Sequence, residues 1–276
     1  MRISQEFFYL CRRKKVAMLN YKVFDRGKGR QWIVMIHGAG GSIEVWFRQI
    51  TDFARHFNLL LVDLAGHGSS TDCKEARHTL FDFSSQADQV MEVVEHLKIE
   101  KAHFMGLSLG SIVVRFIADR HPERVTSMVL AGAVTELCWE SRMLLRLANL
   151  VKHVVPYNLM KWVIAKTLMP QARYKGSAAL FLRSARRLSF ENFMKVFKMV
   201  SRLNDQVGSL FKEQLSIPTL YLMGEDDYFF LPQVHEAFRR GGEQARMIIV
   251  PDAGHVCNID NKQFFNEASL SFLKEV

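Results

Sequence analysis

A succession of short, largely apolar runs constrains this chain more than any other feature. They are Ile33-Val34-Met35-Ile36, Leu59-Leu60-Leu61-Val62, Ala102-His103-Phe104-Met105, Thr219-Leu220-Tyr221-Leu222-Met223 and Met247-Ile248-Ile249-Val250. A strand with one face in water alternates polar and apolar residues, whereas an unbroken run must be covered on both faces. Helical patterns lie between the runs. Asp82 to Leu97 puts Val90, Val93, Val94 and Leu97 on one stripe, Ser111 to His121 forms a second pattern that Pro122 stops, and Phe264 to Leu273 forms a terminal one. This alternation predicts an α/β fold with a mostly parallel twisted sheet covered by helices on both faces. Val125 to Leu130 reads as a further strand, and residues 16–24 as an antiparallel strand at one edge.

Residues 134–213 break the alternation. They offer helical patterns without strands, at Arg142 to Val154, Leu159 to Leu168, Ala178 to Leu188 and Phe190 to Leu203, punctuated by Pro156, Pro170 and Gly176. The predicted organisation is a core of residues 1–133 and 214–276 with a helical insertion at 134–213. With 276 residues and 49 % hydrophobic content, the chain can bury such a core and carry the insertion as well.

Candidate chemistry gathers at the strand ends. Gly106-Leu107-Ser108-Leu109-Gly110 follows one apolar run and precedes the helical pattern that begins at Ser111-Ile112-Val113. A serine lifted on a sharp strand-to-helix turn needs small residues two positions to either side, where a side chain would collide with the turn. Gly106 and Gly110 supply them, which makes Ser108 a candidate nucleophile; the plainer alternative is a turn whose serine caps the helix, a part Ser111 could also play. Other runs end in His37-Gly38-Ala39-Gly40-Gly41-Ser42, Asp63-Leu64-Ala65-Gly66-His67-Gly68-Ser69-Ser70, Gly224-Glu225-Asp226-Asp227 and Pro251-Asp252-Ala253-Gly254-His255.

With these segments in this order, residues 16–133 and 214–276 resemble the α/β-hydrolase superfamily, in its bacterial-type, single-domain serine hydrolases with a helical cap. The order Ser108, Asp227, His255 is that superfamily's, and differs from the chymotrypsin and subtilisin orders. The resemblance implies that Ser108 attacks a substrate carbonyl, that His255 takes its proton and that Asp227 orients the imidazole. The acid lies three residues after the glycine in the family pattern, which selects Asp227. Pro232 stands five residues beyond it where the family often has four, which leaves Asp226 as an alternative and Glu136 as a remote one. The backbone N–H groups of Leu109 and Ala39, with Gly40 as alternative to Ala39, would form an oxyanion hole. His37 would shape that loop, Asp63 and His67 would pin the sheet edge, Trp46 would pack beneath the loop and Asp260 would tie down the histidine loop. Residues 134–213 would form the cap.

The substrate-binding candidates are His37, Gly38, Gly40, Met143, Trp162, Met194 and Phe197, since flexible methionines and flat aromatics adapt to apolar ligands; Leu147, Met160 and Met199 belong to the same group. The implied activity is hydrolysis of carboxylic esters of small to medium apolar acyl groups through an acyl-enzyme, without a metal or organic cofactor. The family also includes carbon–carbon bond hydrolases, lyases and signalling receptors that keep the triad, so these remain alternatives. An aspartate nucleophile of the dehalogenase kind is excluded by Ser108.

Charge is uneven. Residues 134–213 hold 14 Lys and Arg against 5 Asp and Glu, and residues 1–30 hold 9 against 2. Three readings stand: a solvated lid exterior, an anionic substrate, or peripheral contact with an anionic membrane surface, to which Ile3, Phe7 and Leu10 on one helical face would contribute. No nucleic-acid recognition motif is present. Cys11, Cys73, Cys138 and Cys257 are scattered without a Cys-x-x-Cys pair, which argues against a zinc site or a disulfide framework. No apolar run reaches the roughly 18 to 20 residues of a membrane span. A cytoplasmic protein is expected, of unspecified oligomeric state.

Overall fold

The computed structural model describes residues 18–71, 81–152, 154–208, 210–211, 216–240 and 242–276. The readings for Ile3, Phe7, Leu10, Cys11, Cys73 and the start of the edge strand lie outside them. Seven strands form one sheet: β1 Tyr21–Phe24, β2 Trp32–Ile36, β3 Asn58–Val62, β4 Ala102–Leu107, β5 Val125–Ala131, β6 Thr219–Gly224 and β7 Ala245–Val250. Their order is β1-β3-β2-β4-β5-β6-β7. Only β1 runs antiparallel, pairing Tyr21 with Val62 and Phe24 with Leu59 at one edge; the other pairs are parallel.

The helices of ten or more residues among the described residues are α1 Phe83–His96, α2 Leu109–Arg120, α3 Trp139–Val151, α4 Tyr157–Leu168, α5 Lys175–Ala185, α6 Phe190–Ser201, α7 Leu231–Arg240 and α8 Lys262–Glu275. Helices α3 to α6 fall between β5 and β6, where the alternation of strand and helix patterns breaks.

The unbroken runs are buried on both faces, as the two-sided pattern requires. Val34 and Ile36 of β2, with Leu60 and Val62 of β3, join a cluster that contains Val90 and Val94 of α1 and Ile112 and Val113 of α2. Their chain neighbours Ile33, Met35, Leu59 and Leu61 point the other way, into a cluster with Phe265, Phe272 and Leu273 of α8. Trp46 is fully buried in this second cluster with Ile43 and Val45, beneath the loop that follows β2. Each such side chain stabilises the fold by about 1.5–3 kcal/mol relative to exposure. Helix α1 begins at a capping box in which the Asp82 carboxylate accepts from the Ser85 amide at 2.8 Å and the Ser85 hydroxyl accepts from the Asp82 amide at 3.3 Å.

Two differences from the sequence reading have simple causes. Helix α2 starts at Leu109 instead of Ser111, because the turn after β4 is so tight that the helix begins at the residue after Ser108. Helix α7 was not foreseen; Pro232 sits in its first turn, where its missing N–H is no loss. Among the described residues no helix is long and apolar enough to cross a membrane. Cys138 and Cys257 are free, and burial pushes the Cys257 thiol far up, so it stays protonated and inert.

The strand order carries the functional consequence. The chain steps from β2 outward to β3, then returns past β2 to β4 and continues in the opposite direction. Loops leaving β2 and β4 therefore diverge and open a crevice at the carboxyl ends of the strands, the place where open α/β sheets bind ligands. Phe104, wholly buried on β4 at the centre of the sheet, tests the packing that holds this crevice. Phe104→Ala should cost about 3–5 kcal/mol, read as a lowered urea midpoint; a cost near zero would mean that the cluster around β4 does not support the sheet.

Candidate active site

Strand β4 ends at Leu107 and α2 begins at Leu109, so Ser108 makes the entire connection, with φ 53° and ψ −120°. A non-glycine residue there costs on the order of 1–3 kcal/mol and persists only where its surroundings impose it. They do so by close approach. A Cβ on Gly110 would lie 2.3 Å from the Ile36 carbonyl oxygen, and one on Gly106 would lie 2.4 Å from the Gly110 carbonyl oxygen. The Ser108 amide donates to the Ala131 carbonyl at 2.9 Å. Ser111 supplies the side-chain bonds of the turn: its hydroxyl donates to the Ser108 carbonyl at 2.5 Å and accepts from the Val134 amide at 3.1 Å. The Ser108 side chain makes no cap bond, which leaves its oxygen available for a long-range partner.

That partner is His255. Its Nε2 lies 2.8 Å from Ser108 Oγ, and its Nδ1 lies 2.8 Å from Asp227 Oδ2. A carboxylate can only accept, so Nδ1 carries the proton and Nε2 presents its lone pair to the serine hydroxyl. His255 and Asp227 are each only 3 % exposed, and the Phe230 ring covers the imidazole at a centroid distance of 4.9 Å. Asp227 is held by its own turn: its amide donates to the Gly224 carbonyl at 3.1 Å, and its carbonyl accepts from the Leu231 amide at 3.0 Å.

The neighbouring acid faces the other way. The Asp226 carboxylate accepts from the Tyr174 hydroxyl and pairs with Arg173, both of the inserted segment, and accepts from Tyr228 at 2.8 Å. Hydrogen bonds from Tyr174, Tyr228 and Arg173 hold its carboxyl down at about 2. Asp226 is thus a tether between core and insertion, and Glu136 is exposed and takes no part in the Ser108–His255–Asp227 chain. Asp260 also bridges the two parts. Its Oδ2 accepts from the Gly254 amide at 3.0 Å, beside the histidine, and its Oδ1 accepts from Ser177 of α5 at 2.5 Å.

The loop after β2 is fastened to the loop after β3. Asp63 Oδ1 accepts from the Ile43 amide at 2.7 Å, and its Oδ2 accepts from the Ser69 amide at 2.9 Å and from Asn20 at 2.8 Å. His37 lies wholly inside this network: Nδ1 donates to the Gly38 carbonyl at 2.8 Å and Nε2 accepts from the Leu64 amide at 3.0 Å. Burial keeps its pKa below the usual histidine range, so it is a neutral brace. His67 is likewise buried, and desolvation lowers its pKa to about 3. Gly38, Ala39 and Gly40 run from His37 along the crevice opposite Ser108 and Leu109. The Gly41 amide is committed to the Gly38 carbonyl at 3.0 Å. Leu109 is the first residue of α2, so its amide has no partner within the helix.

Above Ser108 and His255 lies a cavity of about 580 Å³, enclosed by the crevice loops and by α3 to α6. Its wall is apolar except for Ser108, His255, Ser141, Lys161, Thr167, Ser177 and Ser184. Gly38, Gly40 and Phe197 line it, as do Leu147 and Met160. Four expectations are corrected. His37 does not line the cavity, because both ring nitrogens are used within the loop network beneath it. Trp162 lies half exposed on the outside of α4, Met194 packs with Phe193 and Phe197 among the inserted helices, and Met143 is half-buried away from the wall. Helical periodicity reveals that α3, α4 and α6 have apolar faces but not which face turns inward. Phe229 and Phe230, two and three residues after Asp227, line the cavity and were missed, although aromatics following a strand-end acid were visible as a signal. Lys161 is buried, with its ammonium 3.8 Å from the Tyr157 ring centroid and 3.5 Å from the Ala185 carbonyl at the end of α5. Among the described residues no cluster of side chains is suited to hold a metal ion.

A family model described as the alpha/beta hydrolase fold matches residues 31–262. The chain is 27 % identical over 280 residues to a carboxylesterase of Bacillus subtilis, covering 98 % of this chain and 88 % of that one. It is 28 % identical over 269 residues to the 2-hydroxy-6-oxononadienedioate/2-hydroxy-6-oxononatrienedioate hydrolase of Paraburkholderia phymatum, covering 90 % and 89 %. It is 25 % identical over 262 residues to the dihydrolipoyllysine-residue acetyltransferase component of the acetoin cleaving system of Pseudomonas putida, a longer protein of which it spans 65 %.

The Asp226 tether makes a pH-dependent prediction. Its folded-state pKa of about 2 lies below the ordinary 3.8, so the tether stabilises the fold above about pH 4 and its contribution is lost as pH falls toward 2. Asp226→Asn should lower the urea midpoint near neutral pH, with the gap to the unaltered protein narrowing in acid; a gap independent of pH would contradict the ionised tether.

Proposed function

The chain belongs to the α/β-hydrolase fold family, and from that premise we propose that it is a serine hydrolase cleaving carboxylic esters of small to medium apolar acyl groups. The observation that supports this reading is the hydrogen-bonded chain from Asp227 through His255 to Ser108, opening onto an apolar cavity. An unassisted hydroxyl is a poor nucleophile near neutral pH. As Ser108 Oγ bonds to the ester carbonyl carbon, its proton passes to His255 Nε2 and the carbonyl π electrons move to oxygen. The charge of the resulting imidazolium is balanced by the Asp227 carboxylate. The oxyanion sits between the N–H groups of Leu109 and Ala39, each such donor lowering the barrier by about 3 kcal/mol. His255 then returns the proton to the departing alkoxide, leaving an acyl group on Ser108. Water, deprotonated by the same nitrogen, hydrolyses it and restores the serine. The helical insertion acts as a cap that keeps bulk water from these charges and holds the acyl chain.

A second reading, hydrolysis of a carbon–carbon bond with the same residues, draws on the similarity to the nonadienedioate hydrolase. The wall favours the ester reading, since it is apolar apart from a few hydroxyls, His255 and the single cation Lys161, whereas a dioate brings two carboxylates into it.

A series of p-nitrophenyl esters from acetate to palmitate tests the proposal. Turnover should peak at a medium chain and fall by about 10⁴-fold or more in Ser108→Ala with the fold intact. Folded protein without turnover on any of these esters would overturn the esterase reading and favour the carbon–carbon alternative. The two acids should separate sharply: Asp227→Asn should lower kcat by about 10⁴-fold, and Asp226→Asn by no more than about tenfold. Equal losses would sink the assignment of Asp227.

A further inference from the structure

Helix α3 has an amphipathic sequence but buries only Ser141. Its Leu147, Leu150 and Val151 are exposed, as are Val154 just beyond it and Leu159 and Trp162 of α4; Leu150 is 75 % and Val154 85 % exposed. A contiguous apolar surface of this kind marks an interface. It coincides with the entrance to the cavity, because Leu144, Leu147, Val151, Leu159 and Val163 face solvent and line the cavity wall at once.

The charges around this face identify what covers it. From Trp139 to Leu168 the only acid is Glu140, against the cations Arg142, Arg146, Lys152 and Lys166 around the face and the buried Lys161. Elsewhere in the insertion Arg173 pairs with Asp226 and Asp252, and Arg183 and Arg187 pair with Glu44. Among the described residues Arg142, Arg146 and Lys166 form no ion pair. A second copy of the chain would bring a like-charged rim against this one, which opposes association. An anionic lipid surface attracts such a rim, each basic residue near it raising partitioning about fivefold. It also accepts apolar side chains at the acyl boundary and an indole at the headgroup level.

We propose that the α3–α4 face docks on the surface of an anionic lipid bilayer, so that the cavity mouth opens onto lipid. The docking is independent of the hydrolase reading; its consequence, that an apolar ester is drawn from the membrane, rests on that reading. The full chain is sedimented with vesicles of phosphatidylcholine alone and of phosphatidylcholine mixed with phosphatidylglycerol, with Trp fluorescence recorded in parallel. The protein should sediment with the mixed vesicles, with a blue shift, and stay in the supernatant with phosphatidylcholine alone. Leu150→Asp with Val154→Asp, at positions outside the cavity wall, should weaken partitioning at least about tenfold. Arg142→Glu with Arg146→Glu should weaken it at least about twentyfold, and both variants should keep the original circular dichroism and melting transition. Failure to sediment with either vesicle, equal sedimentation with both, or aspartate variants that sediment unchanged would overturn the proposal. Light scattering that shows a dimer dissociated by the aspartates would assign the face to a second copy. Ser108→Ala should sediment like the original chain, which separates failure of docking from failure of the hydrolase reading.

Discussion

Everything at this site depends on how closely the first turn of α2 approaches the end of β2. The Gly110 backbone rests on the Ile36 carbonyl so tightly that a methyl group would not fit. That contact forces the single-residue connection at Ser108, and the connection raises the hydroxyl above the sheet. Were α2 to begin one turn later, the serine would become an ordinary helix cap and His255 would have no partner across the crevice. The strain at Ser108 is therefore imposed by packing on both sides, the condition under which an uncommon backbone conformation endures.

The opposite wall of the crevice is secured by electrostatics of a quieter kind. Asp63 gathers amide donors from the loops after β2 and β3 and from Asn20, so one buried carboxylate fixes the separation of the strands' ends. His37 and His67, their ring centroids 5.1 Å apart and the rings tilted by 58°, are both held neutral by burial and fill the space beneath without adding charge. Both ring nitrogens of the strand-end histidine His37 are committed to this loop network, whereas His255 stands between a carboxylate and a serine.

The sheet was legible because its signal is physical and local: runs such as Leu59 to Val62 have no polar residue that could face water, so both faces had to be covered. Ser108 was legible because only glycines fit two positions away from it. The choice between Asp226 and Asp227 was less open to reading, since it turns on Arg173 and Tyr174, more than fifty residues earlier in the chain. Least legible was the cavity wall. Trp162 and Met160 lie two positions apart on one helix, yet one faces out and the other in, and no periodicity distinguishes the outer face of a cap helix from its inner one.

Asp226 and Asp227 are adjacent but serve opposite halves of the molecule, one gripping the inserted segment through Tyr174 and the other the imidazole. Asp260 repeats this two-handed hold from the other side of His255. The α5 end of the inserted segment is thus keyed to the same two turns that hold Asp227 and His255, while α3 rests on apolar contacts from Leu145 and Ala148. The fastening of the inserted segment at α5 thus doubles as the alignment of Asp227 and His255, so that one set of hydrogen bonds serves both joints.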